Sequence, residues 1–178
     1  MAMKNSSFMQ SFIQRVRKFS GHPGYVFLIA LFAALDAFIF IIPTELLMVT
    51  AVISQKKRWI FIPIWIAIGS TLGAGLLAIF VEKYGQAFVQ HWMPHVIHSK
   101  SWAQTEHFFK NNGGWTLPLI AISPIPQQPA VILASLLEMD LFVIILGVLA
   151  GRLVKYILIC WAAFHSPQLL KKLKLIPA

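Results

Sequence analysis

Charge is what this sequence has least of. Only 12% of its 178 residues are Asp, Glu, Lys or Arg, against 58% apolar, and the mean hydropathy is +0.73. A soluble domain carries roughly 25% charged residues. There is too little polar surface to coat a globule in water, so the composition excludes an ordinary soluble domain and points to a bilayer. Carboxylates are the scarcer sign: six Asp and Glu stand against 15 Lys and Arg, a formal charge of +9. In a membrane chain that excess reads as loop topology and attraction to anionic lipid. No basic patch is interleaved with aromatics, so nucleic acid is not an expected partner. The lone Cys160 excludes an intrachain disulfide and a thiolate metal framework, and no cofactor is expected. GxSxG, HExxH, a Walker loop and a paired catalytic carboxylate pattern are all missing, so nothing supports hydrolysis and no enzyme is expected. His91, His95 and His98 follow i, i+4, i+7, but Pro94 intervenes and no acidic ligand is adjacent, so they read as interfacial and not as a metal site.

What is present is oil with deliberate interruptions. Residues 1–24 form a basic amphipathic segment without the apolar run or small-residue cleavage site of a signal peptide. Residues 25–164 form the membrane domain, and 165–178 a basic tail. Within the domain, 59–81 and 141–164 each have the ~20 apolar residues a span needs. Gly69-x-x-x-Gly73 and Gly147-x-x-x-Gly151 give them small-residue faces for close helix packing. The other two oily stretches are broken. In 115–137 the piece 115–123 holds nine residues and 130–137 holds eight. At 1.5 Å per residue neither covers more than about half of a ~30 Å core. Pro124, Pro126 and Pro129 remove donors and clash with the preceding turn, so the helix should break over 124–129. Stretch 25–53 repeats the plan around Pro43.

Each broken stretch is therefore expected to enter, break near mid-depth and return, with Gln127 and Gln128 serving the freed backbone groups. The rival for 115–137 is one kinked span. If both stretches are re-entrant, ten basic loop and terminal residues share one side against three on the other; if 25–53 spans, the split is seven against six. The positive-inside rule favours two re-entrant stretches, with both termini cytoplasmic. The expected fold is an all-α polytopic membrane protein, two re-entrant helical hairpins plus transmembrane helices in an inverted repeat, the design of many secondary transporters. Segment 82–112 is expected to be one or two interfacial amphipathic helices broken at Pro94.

Ionisable residues at membrane depth are functional candidates by default. Asp36 and Glu45 flank the Pro43 break. Arg152 and Lys155 sit at i, i+3 in the last span and share a face. Arg152 and Lys155, with Gln127 and Gln128, would bind an anionic head group, while Asp36 and Glu45 would balance charge or carry protons. The bland alternative is a buried charge pair that only fixes packing.

In these residues the chain resembles the DedA family, also known as VTT-domain or SNARE-associated Golgi proteins, and within it the YqaA-like short branch. The resemblance covers roughly 28–164. It rests on Asp36, Pro43 and Glu45 in LDAFIFIIPTELL, on Gly69, Gly73 and Gly85, on Ser123-Pro124-Ile125-Pro126-Gln127-Gln128, and on Gly151, Arg152, Lys155 and Tyr156 in GRLVKY. Departures are Ala74, where many members carry Asp, Gln127 and Gln128, where they carry Arg or Lys, and Ser135 in place of Gly. The resemblance implies facing re-entrant hairpins in a bacterial inner membrane. It also implies flippase- or scramblase-type movement of phospholipid or polyprenyl phosphate, often linked to proton motive force and envelope integrity. The expected partners are membrane lipids with anionic head groups, and further copies of the chain. Two other readings stay open: a proton-coupled carrier of a small soluble solute, and a non-transporting assembly protein of the envelope.

Overall fold

A computed structural model describes residues 23–38 and 44–165. The basic segment before Pro23, the break residue Pro43 and the tail after His165 lie outside the described residues. All regular elements among the described residues are helical.

Stretch 25–53 forms two short helices, α1 (Pro23–Leu35) and α2 (Thr44–Ser54). Their 13 and 11 residues make rods of about 20 and 17 Å, each shorter than a ~30 Å hydrocarbon core. The two arms fold back on each other. The Tyr25 hydroxyl, at the start of α1, is 3.3 Å from Thr50 Oγ1, near the end of α2. Stretch 115–137 does the same with α6 (Thr116–Ile122) and α7 (Gln128–Leu136). Met139, just past α7, lies against Gly114, just before α6, so the outer ends of this hairpin are neighbours. That contact is incompatible with one kinked rod running from 115 to 137. The break is narrower than the prolines suggest. Pro129 stands in the first turn of α7, where its missing N–H costs no helical bond.

Two helices are long and apolar enough to cross a membrane, α3 (Phe61–Trp92) and α8 (Leu141–His165). Only 22% of the most apolar window of α8 is buried inside the protein, which is not the pattern of a soluble core helix. Phe142, Leu146, Leu158 and Trp161 lie exposed along it. α3 runs on beyond the expected end at 81 and kinks at Gly85, whose φ of 64° suits glycine. The linker then forms α4 (Pro94–Ile97) and α5 (Lys100–Asn112), so Pro94 begins a helix as expected and a further break falls at Ser99. Ser99 caps α5, its Oγ accepting from Trp102 N at 3.1 Å.

The glycines decide how these elements meet. Gly69 and Gly73 of α3 lie on the backbone of Ala30 and Ala34, so α1 and α3 run parallel. Gly147 and Gly151 of α8 lie on Leu117, Pro118 and Ala121, so α6 and α8 also run parallel. α3 and α8 are antiparallel: the Trp59 ring, just before α3, stacks on Phe164 at 5.3 Å, while Gly75 faces Ile145. One apolar cluster joins the first hairpin to the start of α3 and the end of α8, through Tyr25, Ile29, Met48, Ile62, Ile66 and Cys160. A second joins the other hairpin to the later part of α3 and the start of α8, through Leu77, Val89, Leu117, Ile132, Ile144 and Val148. The open ends of the two hairpins are thus at opposite ends of the α3–α8 pair.

A Cβ on Gly73 would stand 2.7 Å from Ala34 Cα, and one on Gly151 2.6 Å from the Pro118 carbonyl oxygen, whereas on Gly75 it would meet Ile145 at an ordinary 3.5 Å. Overpacking of this kind costs about 1–3 kcal/mol. Gly73→Ala and Gly151→Ala should each lower the thermal unfolding midpoint in detergent by several degrees, and Gly75→Ala should leave it nearly unchanged.

Candidate functional site

The described inner ends of the two hairpins' arms meet near the middle of α8. α1 gives way at Leu35 to a short turn carrying Asp36, and α2 restarts at Thr44 with Glu45 in its first turn. In the second hairpin Ser123 closes α6. Its Oγ donates to the Ile120 carbonyl at 2.8 Å and accepts from Ile125 N at 3.1 Å, so one hydroxyl serves both sides of the break. The Gln127 carbonyl starts α7 by accepting from Ala130 N and Val131 N at 3.0 and 3.1 Å. Pro124 and Pro126 fill the turn between, where no helical donor is needed.

A single cavity of about 210 Å³ lies between these turns and α8. Asp36, Glu45, Pro124, Pro126, Gln127, Gln128, Arg152 and Lys155 all line it. The structure therefore brings together eight of the ten expected site residues. Pro43 is outside the described residues, and Pro129 lies next to the cavity on α7 without lining it. Tyr156 and Thr44 also contribute, and neither was singled out as a binding group by sequence reasoning. Tyr156 carried a usable signal: it is a hydroxyl four residues beyond Arg152, on the same helix face.

Contacts here tie the halves together. Gln128 Nε2 donates to the Asp36 carbonyl oxygen at 3.0 Å, linking the two turns directly. Arg152 Nε donates to Gln127 Oε1 at 2.5 Å, and Nη1 to the Tyr156 hydroxyl at 2.9 Å. Lys155 Nζ is 2.6 Å from Glu45 Oε1, an ion pair between α8 and the first hairpin. A carboxylate of one half and a cation of the other are thus paired, Glu45 with Lys155, the contact the packing alternative also expects. Gln127 is buried, and its Nε2 has no hydrogen-bond partner among the described residues. A buried amide left unpaired costs about 1–3 kcal/mol. Arg152, Lys155 and Gln127 line the cavity together, Lys155 being held by Glu45. No cluster of His, Cys, Asp and Glu suited to a metal occurs among the described residues.

An uncharacterized protein of Haemophilus influenzae is 22% identical to this chain over 161 residues, which are 90% of this chain and 83% of the other. No protein-family model matches the chain, and no solved structure matches it.

Proposed function

We propose that this chain is an integral membrane transporter of the DedA type that moves anionic lipid head groups across the bilayer. α3 and α8 cross the membrane. The two hairpins dip in from opposite leaflets as an inverted repeat, and the head group crosses at the cavity where their turns meet. The observation that carries this reading is the convergence of Arg152, Lys155, Gln127 and Gln128 at one cavity, half-way along a helix long enough to span. Charged groups at such depth are expensive, and they are kept where a substrate path requires them. Arg152 and Gln127 bind the phosphate. Glu45 balances Lys155, and Asp36 supplies the carbonyl that holds Gln128 in place. The transporter sits in a bacterial inner membrane, multi-pass, with both termini cytoplasmic, as the ten-to-three split of basic residues favours.

The inverted arrangement puts the α2–α3 turn and the α5 region on opposite faces. With Cys160 replaced by Ala, a cysteine at Lys57 should be shielded from a membrane-impermeant maleimide in intact cells, and one at Asn111 should react. Equal labelling of the two would dismiss the inverted repeat. In proteoliposomes with a trace of fluorescent phosphatidylglycerol, Arg152→Ala should slow lipid movement at least tenfold, in line with losing a charge-assisted hydrogen-bond donor worth about 1.5–3 kcal/mol. Because the buried Gln127 Oε1 loses its donor, the unfolding midpoint should also fall by several degrees, so the rates are compared at a temperature where both proteins are folded. A wild-type rate in Arg152→Ala removes the head-group role.

A further inference from the structure

The polar cavity has a neighbour. A second, apolar hollow of about 360 Å³ is lined by Ile122, Leu158 and Ile159 together with Glu45, Pro124 and Lys155. The last three also line the polar cavity, so the two spaces share a wall. That wall is the Glu45–Lys155 ion pair, 2.6 Å between Oε1 and Nζ. Beyond it Ile122 is 42% and Leu158 58% exposed, so the hollow opens onto the outer apolar surface of α6 and α8.

We infer that this hollow is the seat of the substrate's hydrocarbon chain, and that the Glu45–Lys155 pair is the gate between chain and head group. The inference rests on the head-group reading above and extends it. The ligand class is an amphiphile with a phosphate head and an apolar chain attached beside it. The head lies on Arg152 and Gln127, and the chain leaves over Pro124 to lie along Ile122, Leu158 and Ile159. A head arriving from the groove meets the Glu45–Lys155 pair, both members of which line it. Parting a semi-buried ion pair is costly when one charge is left alone, and far less so when an incoming anion takes the carboxylate's place. A phosphate on Lys155 substitutes for Glu45 charge for charge. The latch therefore opens to an anion and stays shut to a neutral head, and Glu45 is an internal competitor of the substrate.

Leu158 faces outward, so Leu158→Trp fills the groove without touching the polar cavity; Ile122→Trp fills it from the facing wall should the first variant fail to fold. Leu72→Trp, at an exposed position of α3 that lines neither space, is the control. The expected result is that groove-filled protein moves fluorescent phosphatidylglycerol at least tenfold more slowly than Leu72→Trp, while binding soluble glycerol phosphate as wild type does. Glu45→Gln, which removes the competitor, should bind glycerol phosphate at least threefold more tightly. If glycerol phosphate binds but both groove variants move lipid at the control rate, the chain seat is wrong and the head-group site stands. If Glu45→Gln binds no more tightly than wild type, the gate is wrong. If the wild type neither binds glycerol phosphate nor moves lipid, the head-group reading falls and takes this inference with it.

Discussion

A helix that stops inside an apolar bundle must find new partners for the backbone groups it abandons, and the rest of this structure follows from how that is done. Each buried group left unpaired costs free energy comparable to a lost hydrogen bond. Here the second break serves the first as well as itself. The Gln128 amide reaches across to the Asp36 carbonyl, and the Ser123 hydroxyl closes its own turn. Because the repair of one hairpin is built from a side chain of the other, the turns are held together, and polar side chains are carried into the interior along with them. The cavity is a consequence of that repair.

Once polar groups are inside, cations can be kept there. The Arg152 guanidinium donates to two neutral oxygens, Gln127 Oε1 and the Tyr156 hydroxyl, which orient it without cancelling its charge. Lys155 is held differently, by the carboxylate of Glu45. Two cations one helical turn apart thus have unequal availability: Arg152 keeps its attraction for an anion, while Lys155 gives up a partner before it takes another. A site built this way favours a doubly recognised oxyanion over a simple counter-ion, because the second contact needs an exchange and not mere attraction.

Much of the site was legible because the signals conflict with their surroundings. Prolines, glutamines and ionisable residues in oily stretches have no use in a plain span, so their positions announce both the breaks and the cavity. The pairing was less legible. Asp36 and Glu45 looked equivalent as partners for Arg152 and Lys155, and only the restart of α2 at Thr44 turns Glu45 toward α8. Pro129 misled by belonging to the break in sequence and to the first turn of α7 in space. The extension of α3 to a kink at Gly85 was hidden because polarity rises after Val81 without any helix-stopping residue before the glycine. The small-residue faces were visible as spacings, but what they would grip was not, since nothing local in a Gly-x-x-x-Gly pattern names its partner.

What they grip turns out to set the depth of the hairpins. In each half the Gly-x-x-x-Gly face of the long helix clamps the first arm of the preceding hairpin, Gly69 and Gly73 on Ala30 and Ala34, Gly147 and Gly151 on Leu117 and Ala121. The clamped arms differ in length, 13 residues against seven, yet both end at the same cavity. Arm length therefore cannot be what places the turns. The clamp can: it grips Ala34 two residues before Asp36, and Ala121 two residues before Ser123, so in both halves the break begins at a fixed short distance past the second glycine's seat. Backbone approaching backbone at a glycine admits almost no sliding, because any shift brings a Cβ into the gap. The position of the polar cavity is thus fixed chiefly by three residues that have no side chain, Gly69, Gly73 and Gly151. The chemistry within it is left to residues that are free to differ without moving it.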